Sequence, residues 1–233
     1  MLKIMLDAGH FGNRNQSPIY PTYYESKQMW ELHLLLKKHL ENNYDVKVDV
    51  TRAEQTKDLD VTKRGELAKG YDLFLSLHSN ACDSKSVDRV DVYHSYNNRN
   101  NSKVLAELLV DAIAGCMGVS KGGAKTRKSD KGNWEYYGVL RGASNVGCPL
   151  YYIIEHSFHT NEKAAKWLMS NTNLDKLAKV EADVIAKHFG LKPKETKLYR
   201  IQVGAFSKKD NADAFLKRLK ADGYDAFIVE CTK

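Results

Sequence analysis

The stretch Tyr71-Asp72-Leu73-Phe74-Leu75-Ser76-Leu77-His78 decides how the chain is read. Leu73 to Leu77 is an almost unbroken apolar run, the pattern of a parallel strand covered on both faces. It ends on an imidazole. Two more stretches repeat the pattern. Lys3-Ile4-Met5-Leu6-Asp7-Ala8-Gly9-His10 ends on a second imidazole, and Pro149-Leu150-Tyr151-Tyr152-Ile153-Ile154-Glu155 ends on a carboxylate. Side chains at the carboxyl ends of parallel strands converge on one edge of an α/β sheet, where such sheets bind ligands. Two imidazoles and a carboxylate gathered there predict a catalytic zinc centre, because zinc takes nitrogen from His and oxygen from Asp or Glu.

Outward from these strands, residues 1–190 alternate strand and helix. Met29, Leu32, Leu36 and Leu40 recur at helical spacing over 25–41, and Val46, Val48 and Val50 alternate as a strand over 45–51. A helix is expected over 57–69, stopped by Gly70, with a strand over 90–94 and a helix over 104–115. Residues 118–138, rich in Gly, Lys, Arg and Ser, read as a long loop, and 174–189 as a closing helix. The fold class is α/β: a mainly parallel sheet with helices on both faces. Residues 191–197 are short, charged and contain Pro193, so they read as a linker. Beyond it, Tyr199, Ile201, Val203 and Ala205 alternate along a strand. Ser207 to Asp210 has the form of a capping box, Ala212, Phe215, Leu216 and Leu219 make a helix stripe, and 226–229 returns as a strand. A β-α-β unit over 198–233 is too small to bury a core alone.

The 233 residues carry a net charge of +7, which favours an anionic partner. The basic residues are scattered and no aromatic and basic nucleic-acid motif occurs, and charge alone leaves nucleic acid and an anionic bacterial wall about even; nucleic acid drops out as the expected partner only with the strand-end motifs. No apolar run approaches the roughly 18 to 20 residues that cross a bilayer, so membrane insertion is not expected. Met1-Leu2-Lys3 leads straight into the first strand without a signal peptide, which sets the expectation of synthesis in the cytoplasm. Cys82, Cys116, Cys148 and Cys231 are widely spaced and read as reduced thiols.

His10 and His78 supply two zinc ligands. Glu25, Asp7, Asp83 and Asp91 are candidates for the third, with Glu25 favoured because it heads a helix after a loop that can fold over the sheet edge. Glu155 at its own strand end is then the unligated base. His33, His39, His94 and His188 read as structural or solvent-exposed. His156 and His159 flank Glu155 and stay open.

Asp7-Ala8-Gly9-His10, Glu25, Ser76-Leu77-His78-Ser79-Asn80-Ala81 and Ile153-Ile154-Glu155-His156-Ser157-Phe158-His159-Thr160-Asn161 together resemble, in order and spacing, the zinc-dependent N-acetylmuramoyl-L-alanine amidases of the amidase-3 family. The resemblance spans roughly residues 1–190. It implies zinc bound by His10, Glu25 and His78, Glu155 as catalytic base, and a minor substrate contact from Asn80. The implied reaction is hydrolysis of the amide joining N-acetylmuramic acid to L-alanine in peptidoglycan. Two departures are visible: Ala8 stands where the family usually has proline, and His156-Ser157-Phe158-His159 departs from the usual run after the glutamate. The tail Tyr199 to Glu230 resembles one half of a sporulation-related (SPOR) repeat, a module associated with glycan binding. A half repeat calls for a second copy to complete the sheet, from another chain in a homodimer through 198–233 or from further residues of the same protein. Without a signal peptide, the protein reads as a lysin acting on the wall after release, a phage endolysin or a mother-cell autolysin. A zinc peptidase cutting the stem peptide and a non-catalytic wall-binding protein are the rival readings.

Overall fold

Parallel strand pairing organises the first of two units, Met1–Lys194, in a computed structural model that describes residues 1–195 and 201–230. Strand β1 (Leu2–Ala8) leads through a long loop to α1 (Glu25–Asn43), β2 (Val46–Val50), the short α2 (Val61–Glu66) and β3 (Leu73–Asn80). Then come β4 (Arg89–Tyr93), α3 (Ser102–Met117), β5 (Ser120–Lys125) and α4 (Gly138–Asn145), and β6 (Leu150–Phe158), α5 (Glu162–Leu168) and α6 (Asn171–His188) close the unit. The sheet order is β2-β1-β3-β6-β4-β5. Strands β2, β1, β3 and β6 run parallel, β4 runs antiparallel to β6, and β5 is parallel to β4.

Both faces are covered, which is why the central strands are apolar without alternation. Ile4, Leu6, Leu75, Leu77, Tyr152 and Ile154 pack with Met29, Leu32 and Leu36 of α1, Leu105 and Leu109 of α3, and Leu177 and Ile185 of α6. Met5, Phe74, Tyr151 and Ile153 pack on the other side with Val139, Leu140 and Ala143 of α4. Register then levels the strand ends. Ala8 pairs with Leu77 and His78 with Glu155, so the carboxyl ends of β1, β3 and β6 meet on one edge.

Three expectations for this unit are corrected. The segment 118–138 is not all loop, because β5 pairs with β4 at the sheet edge. Its sequence Ser-Lys-Gly-Gly-Ala-Lys lacks the β-branched residues that announce a strand. Glycine is needed at 122, where an added Cβ would lie 1.8 Å from the Asp91 carboxylate. The helix expected over 57–69 is shorter, since the Asp60 side chain accepts from the Thr62 and Lys63 amides and starts α2 at Val61. Pro193 bridges Tyr44 and the Lys194 amide donates to the Asn43 carbonyl, so part of the expected linker is tied to the end of α1.

In the second unit, Glu195–Lys233, the expected helix is present as α7 (Lys209–Ala221). The expected flanking strands are not formed at 201–206 or 224–230 among the described residues, and Tyr199 and Cys231 lie outside them. The capping box is absent as well. Lys208 occupies the N-cap and no side chain caps the helix.

Candidate metal centre

The site is built at the edge where β1, β3 and β6 end. β1 turns at Gly9, whose amide donates to the Leu77 carbonyl at 2.8 Å. A Cβ at this position would lie 2.5 Å from the His78 ring, so only glycine lets the turn pass this close. His10 follows with φ +58°, a left-handed conformation that is strained for a non-glycine residue and collects at functional sites. The Ala8 carbonyl is held by two buried guanidiniums, Arg52 Nη2 at 2.6 Å and Arg64 Nη1 at 3.3 Å. The His10 and His78 rings meet edge to face with centroids 5.1 Å apart.

Glu25 opens α1 with a side chain only 2% exposed. Its Oε1 accepts from the Ser79 amide at 3.0 Å and lies 2.9 Å from His78 Nδ1. Its Oε2 accepts from Asn15 Nδ2 at 2.8 Å and lies 3.5 Å from His10 Nε2. The ligand atoms of His10, Glu25 and His78 all fall within 4.8 Å of one another, the only such group of three among the described residues. Donors about 2 Å from one zinc ion must crowd together in this way, so two imidazoles and a carboxylate fit that metal in both chemistry and spacing. Burial pushes the Glu25 carboxyl up, but the bond from His78 and the charges of His78 and His10 outweigh it and hold the group low. For His78, burial pulls the ring down and the Glu25 bond and charge more than reverse this, so it ends up raised.

Glu155 pairs in register with His78 on β6 and lies between β3 and β4. Its Oε2 is buried without a hydrogen-bond partner among the described residues. Burial pushes its carboxyl up to about 7; the His78 charge opposes this and the Glu25 charge adds to it. A carboxylate poised near neutrality beside a metal-type cluster can accept a proton and return it.

The other candidate third ligands are engaged elsewhere. Asp7 accepts from Thr51 and Ser76 hydroxyls, Asp91 pairs with Arg89 and Lys125, and Asp83 lines an open depression with Cys82 and Thr160. Asn80 ends β3, and its Oδ1 accepts from the Ala81 amide at 2.8 Å. His33 and His94 are buried against Trp30 and Ser102, and His39 pairs with Asp175. His159 sits behind the centre, its Nδ1 3.0 Å from the Ser79 carbonyl, stacked on Tyr23 and 3.9 Å from Glu25 Oε2. Asn15 and Ser79 were not marked by the sequence as neighbours of the site, and His159, left open there, lies beside it. Asn15 is one polar residue of a polar loop, and only its left-handed turn points it inward.

Residues 4–187 match the family described as N-acetylmuramoyl-L-alanine amidase (Amidase_3), and 157–230 match the SPOR domain. The two matches overlap at 157–187, which the structure places in the first unit. The N-acetylmuramoyl-L-alanine amidase CwlM of Bacillus licheniformis is 26% identical over 98% of this chain and 85% of its own. A sporulation-specific N-acetylmuramoyl-L-alanine amidase of Bacillus subtilis (strain 168) is 24% identical over the same shares. The fold is that of the CwlV catalytic domain from Bacillus (Paenibacillus) polymyxa var. colistinus, with TM-score 0.69 and 21% identity over 82% of this chain and all of that one. It is shared with an amidase from Clostridium difficile 630, TM-score 0.70 and 21% identity over 81% and 97%. With most of its length matched and its strand-end motifs in place, the chain belongs to the Amidase_3 family of N-acetylmuramoyl-L-alanine amidases, and its activity is peptidoglycan hydrolysis.

Proposed function

We propose that the hydrolysis is zinc-dependent, with the ion held by His10, Glu25 and His78 and with Glu155 as the catalytic base. The convergence of the three ligand atoms beside a carboxylate near neutrality is the observation that carries this reading. Zinc bound there would polarise the scissile carbonyl and acidify water. Glu155 takes a proton from the attacking water and delivers it to the nitrogen of the departing L-alanine. The Ser79 amide and Asn15 orient the Glu25 carboxylate, and the Arg52 and Arg64 contacts to Ala8 hold the turn that carries His10. Asn80 is a minor contact to the substrate. The SPOR-like tail attaches the enzyme to glycan strands and pairs two copies, and the protein reaches the wall after release from the cell that makes it. The sporulation-specific relative supports a mother-cell autolysin over a phage endolysin.

Treatment with a strong chelator is expected to abolish lysis of purified walls, and added zinc to restore it. The products should carry free L-alanine amino groups with stem peptides intact. Full activity in metal-free protein, or new termini inside the stem peptide, would refute the reading.

A further inference from the structure

Behind the β3–β6 pair lies an ionisable pair that the reaction does not use. His156 and Glu181 are each fully buried, His156 Nε2 lying 2.9 Å from Glu181 Oε1. The other ring nitrogen, Nδ1, lies 2.9 Å from the carbonyl of His78. A carbonyl oxygen only accepts, so Nδ1 carries the hydrogen and the ring is fixed at both ends. Glu181 stands on the apolar face of α6, among Leu177, Ala178, Ala182 and Ile185, and its Oε2 has no partner among the described residues. A carboxylate set in a helix core and left half-bonded is poor design for stability.

Its place explains it. The register of β3 against β6 slips just after His78 and Glu155: His78 pairs with Glu155, yet Asn80 pairs with Phe158. One extra residue is therefore accommodated in β6, where Ser157 takes a left-handed φ of +59°. Bulges of this kind re-aim side chains beside active sites. The imidazole of His156 sits in this bulge and ties the His78 main chain to α6.

We infer that His156 and Glu181 are positioning residues, a strut from α6 that fixes the His78 backbone and the bulge, and so the placement of His78 against Glu155. The inference rests on the zinc reading above, with His78 a ligand and Glu155 the base.

The test is the double variant His156→Leu/Glu181→Leu, which removes both ionisable groups together and leaves only the His78 carbonyl without its donor. Replacing a buried ionisable pair is often neutral or stabilising and the lost carbonyl bond offsets part of this, so the melting temperature should stay close to that of the wild type. Zinc affinity, by titration of metal-free protein, should fall about 10–100-fold, the usual effect of losing an outer partner of a ligand. The absorption spectrum of the cobalt-substituted protein should shift. On a soluble muropeptide kcat should fall while KM stays. His156→Asn, whose Nδ2 stands where Nδ1 was and keeps an N–H for the His78 carbonyl, should recover part of the loss. A stable double variant with wild-type zinc affinity, cobalt spectrum and kcat would overturn the inference. Should the double variant not fold, Glu181→Leu, which removes the contact to His156 Nε2, carries the same readouts: a fall in both zinc affinity and kcat supports the strut, and wild-type values refute it. A wild-type protein that takes up no zinc would sink the zinc reading instead, and the kcat comparison would still decide the strut.

Discussion

Glu155 buries a carboxylate oxygen with no partner beside a carboxylate, Glu25, that has several. The two environments separate their roles: the well-bonded group is held charged and suits a cation, and the starved one sits near neutrality and suits proton transfer. Glu155→Gln keeps the shape but accepts no proton. It is expected to retain one zinc per chain and lose on the order of 10² to 10⁴ in kcat. Metal analysis with single-turnover kinetics checks this, and loss of metal would instead move Glu155 into the ligand set. His10, His78 and Glu155 were legible in the sequence because each ends an apolar run. Asn15 was not, because nothing local marks a loop amide, and His159 stayed open because only the fold sets its imidazole beside Glu25.

At the level of elements, legibility followed burial. Strands β1, β3 and β6 are buried on both faces and announce themselves, whereas β5 is a half-exposed edge strand whose Gly122 answers to Asp91 across the sheet. In the second unit the helix stripe was legible, but its apolar flanks remain uncovered: Ile201 is 85% exposed and Phe227 72%. Such side chains call for a partner surface. Removing residues 198–233 is expected to leave hydrolysis of small soluble muropeptides intact while weakening attachment to whole walls, because paired tails would add avidity without a new site. Sedimentation of full-length and shortened chains checks the pairing. A full-length chain that stays monomeric at high concentration would contradict it.

For the molecule as a whole, the site without metal is a liability that depends on pH. The folded-state carboxyl of Glu155 titrates near 7, above its ordinary 4.5. The protonated form therefore stabilises the fold below about 4.5, and that contribution is lost as pH rises through about 7. Metal-free wild type should fall behind metal-free Glu155→Gln across this window, by up to roughly 3 kcal/mol at its upper end. Denaturant unfolding of both proteins from pH 4 to 8 measures it, and a constant difference would refute it. The sequence by itself determined the α/β class, the parallel centre of the sheet and the strand-end residues, because apolar runs and their punctuation are local properties. Only the tertiary structure decided the rest. Register levelled three strand ends to within a few ångströms, α1 placed Glu25 opposite them, and β4 entered antiparallel with β5 at its side. The bulge after Glu155 set His156 against α6. Each of these depends on residues tens of positions apart, and no window of sequence contains both partners.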